Sequence, residues 1–186
     1  MGILLVVLLI VAGLLILIAT RPNQFRIQRG TTIGAPINVV FALVNDFHQW
    51  TRWSPWEGRD PGLKRTHDGA PAGTGAVYSW IGNNQVGEGR MTITDSKPGE
   101  LVVIKLEFIK PWTATNRTEF TFRQQQGGVA VDWAMSGSHN FMGKAFSMLM
   151  NMDARIGKDF DQGLALMKKA AEDDAQKTGA AAATPR

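Results

Sequence analysis

The sequence predicts an α+β fold: a curved antiparallel sheet around a long C-terminal helix, preceded by one transmembrane helix. Three observations predict it. Residues 2–19 carry no charged or strongly polar side chain. A strand and two short helices are then followed by about six segments that alternate apolar and polar residues. Last comes a stretch after Asn140 with apolar residues at helical spacing.

The first run, Gly2 to Ala19, is about eighteen residues, or roughly 27 Å as a helix, close to the hydrocarbon thickness of a bilayer. No basic n-region precedes it and Leu17-Ile18-Ala19-Thr20 lacks Ala-x-Ala, so the expectation is an uncleaved anchor over 1–20. Val6 stands where a myristoylation pattern needs Ser or Thr. Arg21, Arg26 and Arg29 follow the span, which puts the domain on the cytoplasmic side by the positive-inside tendency.

After a linker at 21–24, the domain is expected over 25–171. Phe25 to Ile33 reads as a strand of mixed quality, because Arg29 shares a face with Phe25 and Ile27. Pro36 opens a short helix with Val39, Val40, Leu43 and Val44 on one side, and Asp46 caps a second that ends near Trp53. The Gly/Pro-rich stretch that follows holds a short strand near Leu63 to Thr66. Ala76, Tyr78 and Trp80 alternate into a turn at Gly82-Asn83-Asn84, and Met91 and Ile93 share a face on the way back. Val102, Ile104, Leu106 and Phe108 form the next apolar face, followed by Asn116, Thr118, Phe120 and Phe122. Gly127-Gly128 turns the chain into Val129, Val131, Trp133 and Met135. Such a meander has one wet face and one apolar face. Asn140 is placed as the cap of a helix to about Ala171, with Met142, Phe146, Leu149, Phe160, Leu164 and Met167 as its stripe and Gly157 allowing close approach. Residues 172–186 lack apolar periodicity and are expected to be largely disordered.

Composition narrows the function. The net charge of +4 mixes both signs, which fits contact with anionic lipid and does not imply nucleic acid. Having no cysteine excludes disulfides, thiolate metal sites and a cysteine nucleophile. His48, His67 and His139 fall on different elements without metal-ligand spacing, and no cofactor motif is present. Asn116-Arg117-Thr118 fits a glycosylation sequon but lies mid-strand with Asn116 inward, so it is not read as one. Arg52, Arg59, Lys64 and Arg65 interleave with Trp50, Trp53 and Trp56, a pattern read as a solvated or lipid-facing loop rather than a stacking platform. Trp112 also falls in a loop, where an indole suits a membrane interface or a cavity mouth.

The element order resembles the START-like (helix-grip, Bet v 1-like) superfamily, also called SRPBCC or polyketide cyclase/dehydrase-like. The resemblance rests on Ile33-Gly34-Ala35-Pro36 running into Val39 to Asp46, then Trp50-x-x-Trp53-Ser54-Pro55-Trp56 and Gly73-x-Gly75-x-x-Tyr78-x-Trp80. Met150-Asn151-Met152-Asp153 and Lys158-Asp159-Phe160-x-x-Gly163-Leu164 complete it. It implies an apolar cavity between sheet and helix that accepts a hydrophobic molecule. Inward candidates for its wall are Tyr78, Trp80, Met91, Phe108, Asn116 and Thr118, with Trp133, Met135, Phe146, Leu149 and Phe160 closing it.

Asp153 falls inside the helix stripe, where a bare carboxylate is costly. Either it tilts to the edge and pairs with a nearby Arg or Trp N–H, or it is the cavity's polar anchor, with a raised pKa suited to acid or base work. The expected function is membrane-anchored binding of a lipid, isoprenoid or polyketide-like molecule. The rivals are a cyclase/dehydratase using Asp153 and an interaction module of co-chaperone type.

Overall fold

Pairing of the first strand with the last decides the architecture of the computed structural model, which describes residues 2–139, 141–149 and 151–182. The elements are α1 (Gly2–Ala19), β1 (Gln24–Ile33), α2 (Ile37–Asn45), a 3-10 helix (Phe47–Arg52), β2 (Lys64–Gly69), β3 (Ala76–Ile81) and β4 (Glu88–Lys97). Then come β5 (Leu101–Lys110), β6 (Ala114–Gln125), β7 (Gly128–Ser138), α3 (Phe141–Leu149) and α4 (Met152–Ala182). Among the described residues seven strands form one sheet, in the order β1-β7-β6-β5-β4-β3-β2, every neighbouring pair antiparallel. β2 to β7 are a simple meander, and β1 joins beside β7 with Ile27 opposite Met135 and Arg29 opposite Trp133.

The apolar face of the meander is concave and packs on α2, the 3-10 helix and α4, as a one-sided antiparallel sheet must. Val40, Leu43, Phe47, Trp53, Phe120, Ile104, Leu164 and Met167 are fully buried there. α2 is short, and its last carbonyls have no helical partner. Two indoles satisfy them: Trp50 Nε1 donates to Val44 O at 3.1 Å and Trp53 Nε1 to Leu43 O at 2.8 Å. Asp46 caps the 3-10 helix by accepting from the His48 backbone N–H.

The terminal helix differs from the expectation in three ways. It is not continuous: α3 ends at Leu149 and α4 starts afresh, with Asn151 Oδ1 accepting from Ala154 N at 3.0 Å as an N-cap. The expected cap at Asn140 lies outside the described residues, as do the side chains of Met142, Phe146 and Leu149. Nor does helix stop at Ala171: it runs to Ala182, across part of the segment expected to be disordered. Tertiary bonds that no periodicity shows hold this extension, since Glu172 accepts from Gly34 N and Asp174 pairs with Arg52. The close approach at Gly157 is that of a side chain, for a Cβ there would overlap the Arg29 guanidinium.

α1 stands apart from the sheet. Its side chains are exposed except Ile18, and it meets α3, where Lys144 Nζ donates to Ala19 O at 3.1 Å. It is long and apolar enough to cross a bilayer.

Candidate functional site

Between the concave face and α4 lies a cavity of about 220 Å³. Its wall is mostly aromatic and aliphatic, built from four places in the chain. The strands contribute Tyr78, Trp80, Met91, Leu106, Phe108, Thr118, Trp133 and Met135. The turn between β3 and β4 adds Gln85 and Val86, and α4 adds Ile156, Asp159 and Phe160. The segment after α2 adds Trp50, Ser54, Trp56, Glu57 and Leu63.

Strand alternation explains the first group, since residues two apart share the inner face. Of the residues singled out from the sequence, Tyr78, Trp80, Met91, Phe108, Thr118, Trp133, Met135 and Phe160 meet at this wall. Asn116 does not: it lies near the rim, with Nδ2 3.9 Å from Met135 Sδ, and lines a separate shallow groove. Leu149 lies outside the described side chains.

Asp153 corrects the cavity-anchor reading and follows the other, pairing at the edge with an arginine. It is not in the wall, and its side chain keeps 62% of its exposure. Arg29 projects from the concave face of edge strand β1 over Gly157 and meets it, Nη2 to Oδ2, at 3.0 Å, with Asp161 3.6 Å from Nε. The hydrogen bond from Arg29 holds the Asp153 carboxyl below the usual carboxylate range, so it is no poised proton donor. Its place in the first turn of α4 also suits the helix dipole.

The ionisable groups of the wall itself are paired. Tyr78 Oη donates to Glu57 Oε1 at 2.7 Å, and Arg65 Nε donates to Glu57 Oε2 at 2.6 Å. Burial pushes the Tyr78 phenol well above its ordinary value, and the bond to Glu57 adds to this, so it stays neutral. Asp159 is paired with Arg59, whose guanidinium also lies 6.0 Å from the Trp56 ring centre. Three of the four basic residues of the Trp-rich segment (Arg52, Arg59 and Arg65) are thus tied to carboxylates.

Trp133 sits at the centre. Its ring stacks on Phe160 with centroids 4.0 Å apart and a 7° tilt, lies against Phe120, and takes the edges of Trp53 and Trp56. Among the described residues its Nε1–H is the buried side-chain donor with no hydrogen-bond partner, although the residue is only 2% exposed. By contrast, Trp80 Nε1 donates to Val86 O at 3.0 Å.

The structure also adds what sequence reading missed. Leu106 shares the alternation of Phe108 and was legible; Glu57, Leu63 and Gln85 come from irregular segments without a period. Trp50 and Trp53 are buried, Trp56 is half-buried, and Trp112 is exposed. His48 and His67, scattered in sequence, stack with centroids 4.2 Å apart. Among the described residues no group of three or more His, Asp or Glu side chains is placed to hold a metal.

A seven-stranded antiparallel sheet gripping a C-terminal helix over a lined cavity defines a helix-grip domain. The chain belongs to the family described as polyketide cyclase/dehydrase and lipid transport, whose profile matches residues 24–172. Solved structures share the fold at low identity. The Aha1 dimer from Colwellia psychrerythraea superposes with a TM-score of 0.58 at 15% identity, covering 80% of this chain and 96% of that one. The di-domain ARO/CYC StfQ of the steffimycin biosynthetic pathway gives 0.60 at 13%, covering 83% of this chain and 52% of its own. Protein SA2116 from Staphylococcus aureus gives 0.60 at 13%, covering 82% and 96%. Comparison with curated proteins returned no match.

Proposed function

We propose that this chain is a membrane-anchored binder of a hydrophobic small molecule (a lipid, an isoprenoid or a polyketide-like compound) held between the sheet and α4. The carrying observation is the cavity, walled by Trp50, Trp56, Trp80, Phe108, Met135 and Phe160. Apolar walls with few polar groups are how small-molecule sites are built. The ligand that fits is therefore apolar over most of its surface. The family description, which names lipid transport, agrees with this reading. α1 supplies the anchor and keeps the domain where apolar ligands partition.

The site binds rather than reacts. Glu57, Tyr78 and Asp159 are each engaged by a neighbour, and Asp153 stands outside the wall. The test is a titration of the delipidated full-length chain with cis-parinaric acid, read by energy transfer from tryptophan. Transfer should saturate at one probe per chain, and Thr118→Phe, which fills the hollow, should remove the saturable part. An unchanged signal in the filled variant would sink the reading.

A further inference from the structure

We propose that the end of the sheet from which α1 departs is a bilayer-docking face, so that the cavity opens against lipid. This inference rests on the anchored reading above and goes beyond it: the domain is tethered and also seated in one orientation.

Strand register identifies the face. Gln24 at the start of β1 is opposite Ser138 at the end of β7. Ile81 at the end of β3 is opposite Glu88 at the start of β4, and Glu88 is opposite Lys110 at the end of β5. The exit of α1, the β3–β4 turn, the β5–β6 turn and the junction of β7 with α3 therefore share one rim. On that rim stand Ile81, Ile109, Trp112 and Phe141, all exposed, with Trp112 at 72%. Outside α1, Leu166 on α4 is the remaining described large apolar side chain of comparable exposure. At the opposite rim the turns are Gly69 to Gly75, Lys97 to Glu100 and Gln125 to Gly128, rich in Gly, Pro, Gln and Ala.

An exposed apolar patch confined to one rim marks a contact surface, and an indole among aliphatic groups suits the head-group layer. Charge agrees. Arg21 and Lys64 are exposed at this end, Lys110 is exposed and paired with Glu88, and Asp60 behind the β3–β4 turn is buried and accepts from Asn83 N. Anionic lipid head groups attract such a set. The tether names the occupant: between Ala19 and Gln24 the chain reaches at most roughly 17 Å, so a spanning α1 leaves this rim no partner nearer than the bilayer. The cavity opens the same way, its half-exposed wall at Val86, Leu106, Phe108 and Ile156 lying towards this rim.

The absence of cysteine allows single labels at Trp112→Cys, Ile109→Cys and, on the far rim, Gln126→Cys in the full chain. Each labelled chain is reconstituted into phosphatidylcholine–phosphatidylserine vesicles containing a doxyl-labelled lipid. The labels at 112 and 109 should shift to the blue and lose most of their emission to the quencher, while the label at 126 keeps its own. If the chain floats with the vesicles but 112 and 109 are quenched no more than 126, docking is overturned and the anchor stands. If the chain does not float with the vesicles, the anchored reading falls and takes the docking face with it.

Discussion

Trp133 is buried in a stack of aromatic rings, yet its one polar atom is left without a partner. Phenylalanine at this place keeps the stack on Phe160 and removes the N–H. Trp133→Phe should leave the melting temperature nearly unchanged, because loss of packing and loss of an unsatisfied donor oppose each other. Asp153 makes the opposite case. Asp153→Asn cuts an exposed ion pair with Arg29 and should not change probe affinity at all; a marked loss of affinity would return it to the site. Helical spacing put Asp153 inside the apolar stripe, but the fold leaves it exposed and brings Arg29, 124 positions earlier, to pair with it.

α4 shows how an element can be legible in type and wrong in extent. Its apolar stripe of Phe160, Leu164 and Met167 is plain in the sequence and is buried as expected. The stop before Asn151 was not plain, because apolar residues continue on both sides of it. Asn151 is a cap only where the chain has already bent, and Asn151→Ala should then cost about 1 kcal/mol in urea unfolding. Gly163 is the tight point of the same helix: a Cβ there would lie 2.8 Å from Trp133 Cζ3 and 3.0 Å from Pro55 Cδ. In an open helix Gly→Ala would gain up to about 1 kcal/mol. Here the ring is locked between Phe160 and Phe120, so Gly163→Ala should instead destabilise by about 1–3 kcal/mol. A more stable alanine variant would mean the stack gives way freely.

At the scale of the whole molecule, pairing of β1 with β7 and the contacts of the segment before β2 tie distant parts of the chain together. Charge adds to folded stability at two carboxylates. Bonds from Arg117 hold Glu119 below its ordinary value; burial opposes this and Arg26 adds to it. Burial raises Asp46, but hydrogen bonds from the His48 backbone and ring and from Gln49 outweigh it, so it too is lowered. Both groups bind protons more readily unfolded than folded, so their stabilisation is present above the unfolded value of 4.5 for Glu119 and is lost as pH falls through the folded values. Urea midpoints taken from pH 7 down to pH 3 should fall below about pH 4.5, and Glu119→Gln should flatten part of that slope. A midpoint independent of pH in this window would show that neither carboxylate is linked to folding.

The sequence by itself determined the order of elements, the inward face of each strand, the apolar N-terminal helix and most of the cavity's strand-borne wall. These are matters of period, and a period of two or of three to four is written locally in apolar side chains. Tertiary structure alone decided which ionisable groups are engaged, that Glu57 and Asp159 belong to the wall and Asp153 does not, and that exposed apolar residues from three separate connections share one rim. Those facts depend on distances between segments far apart in the chain, and no local pattern carries such a distance.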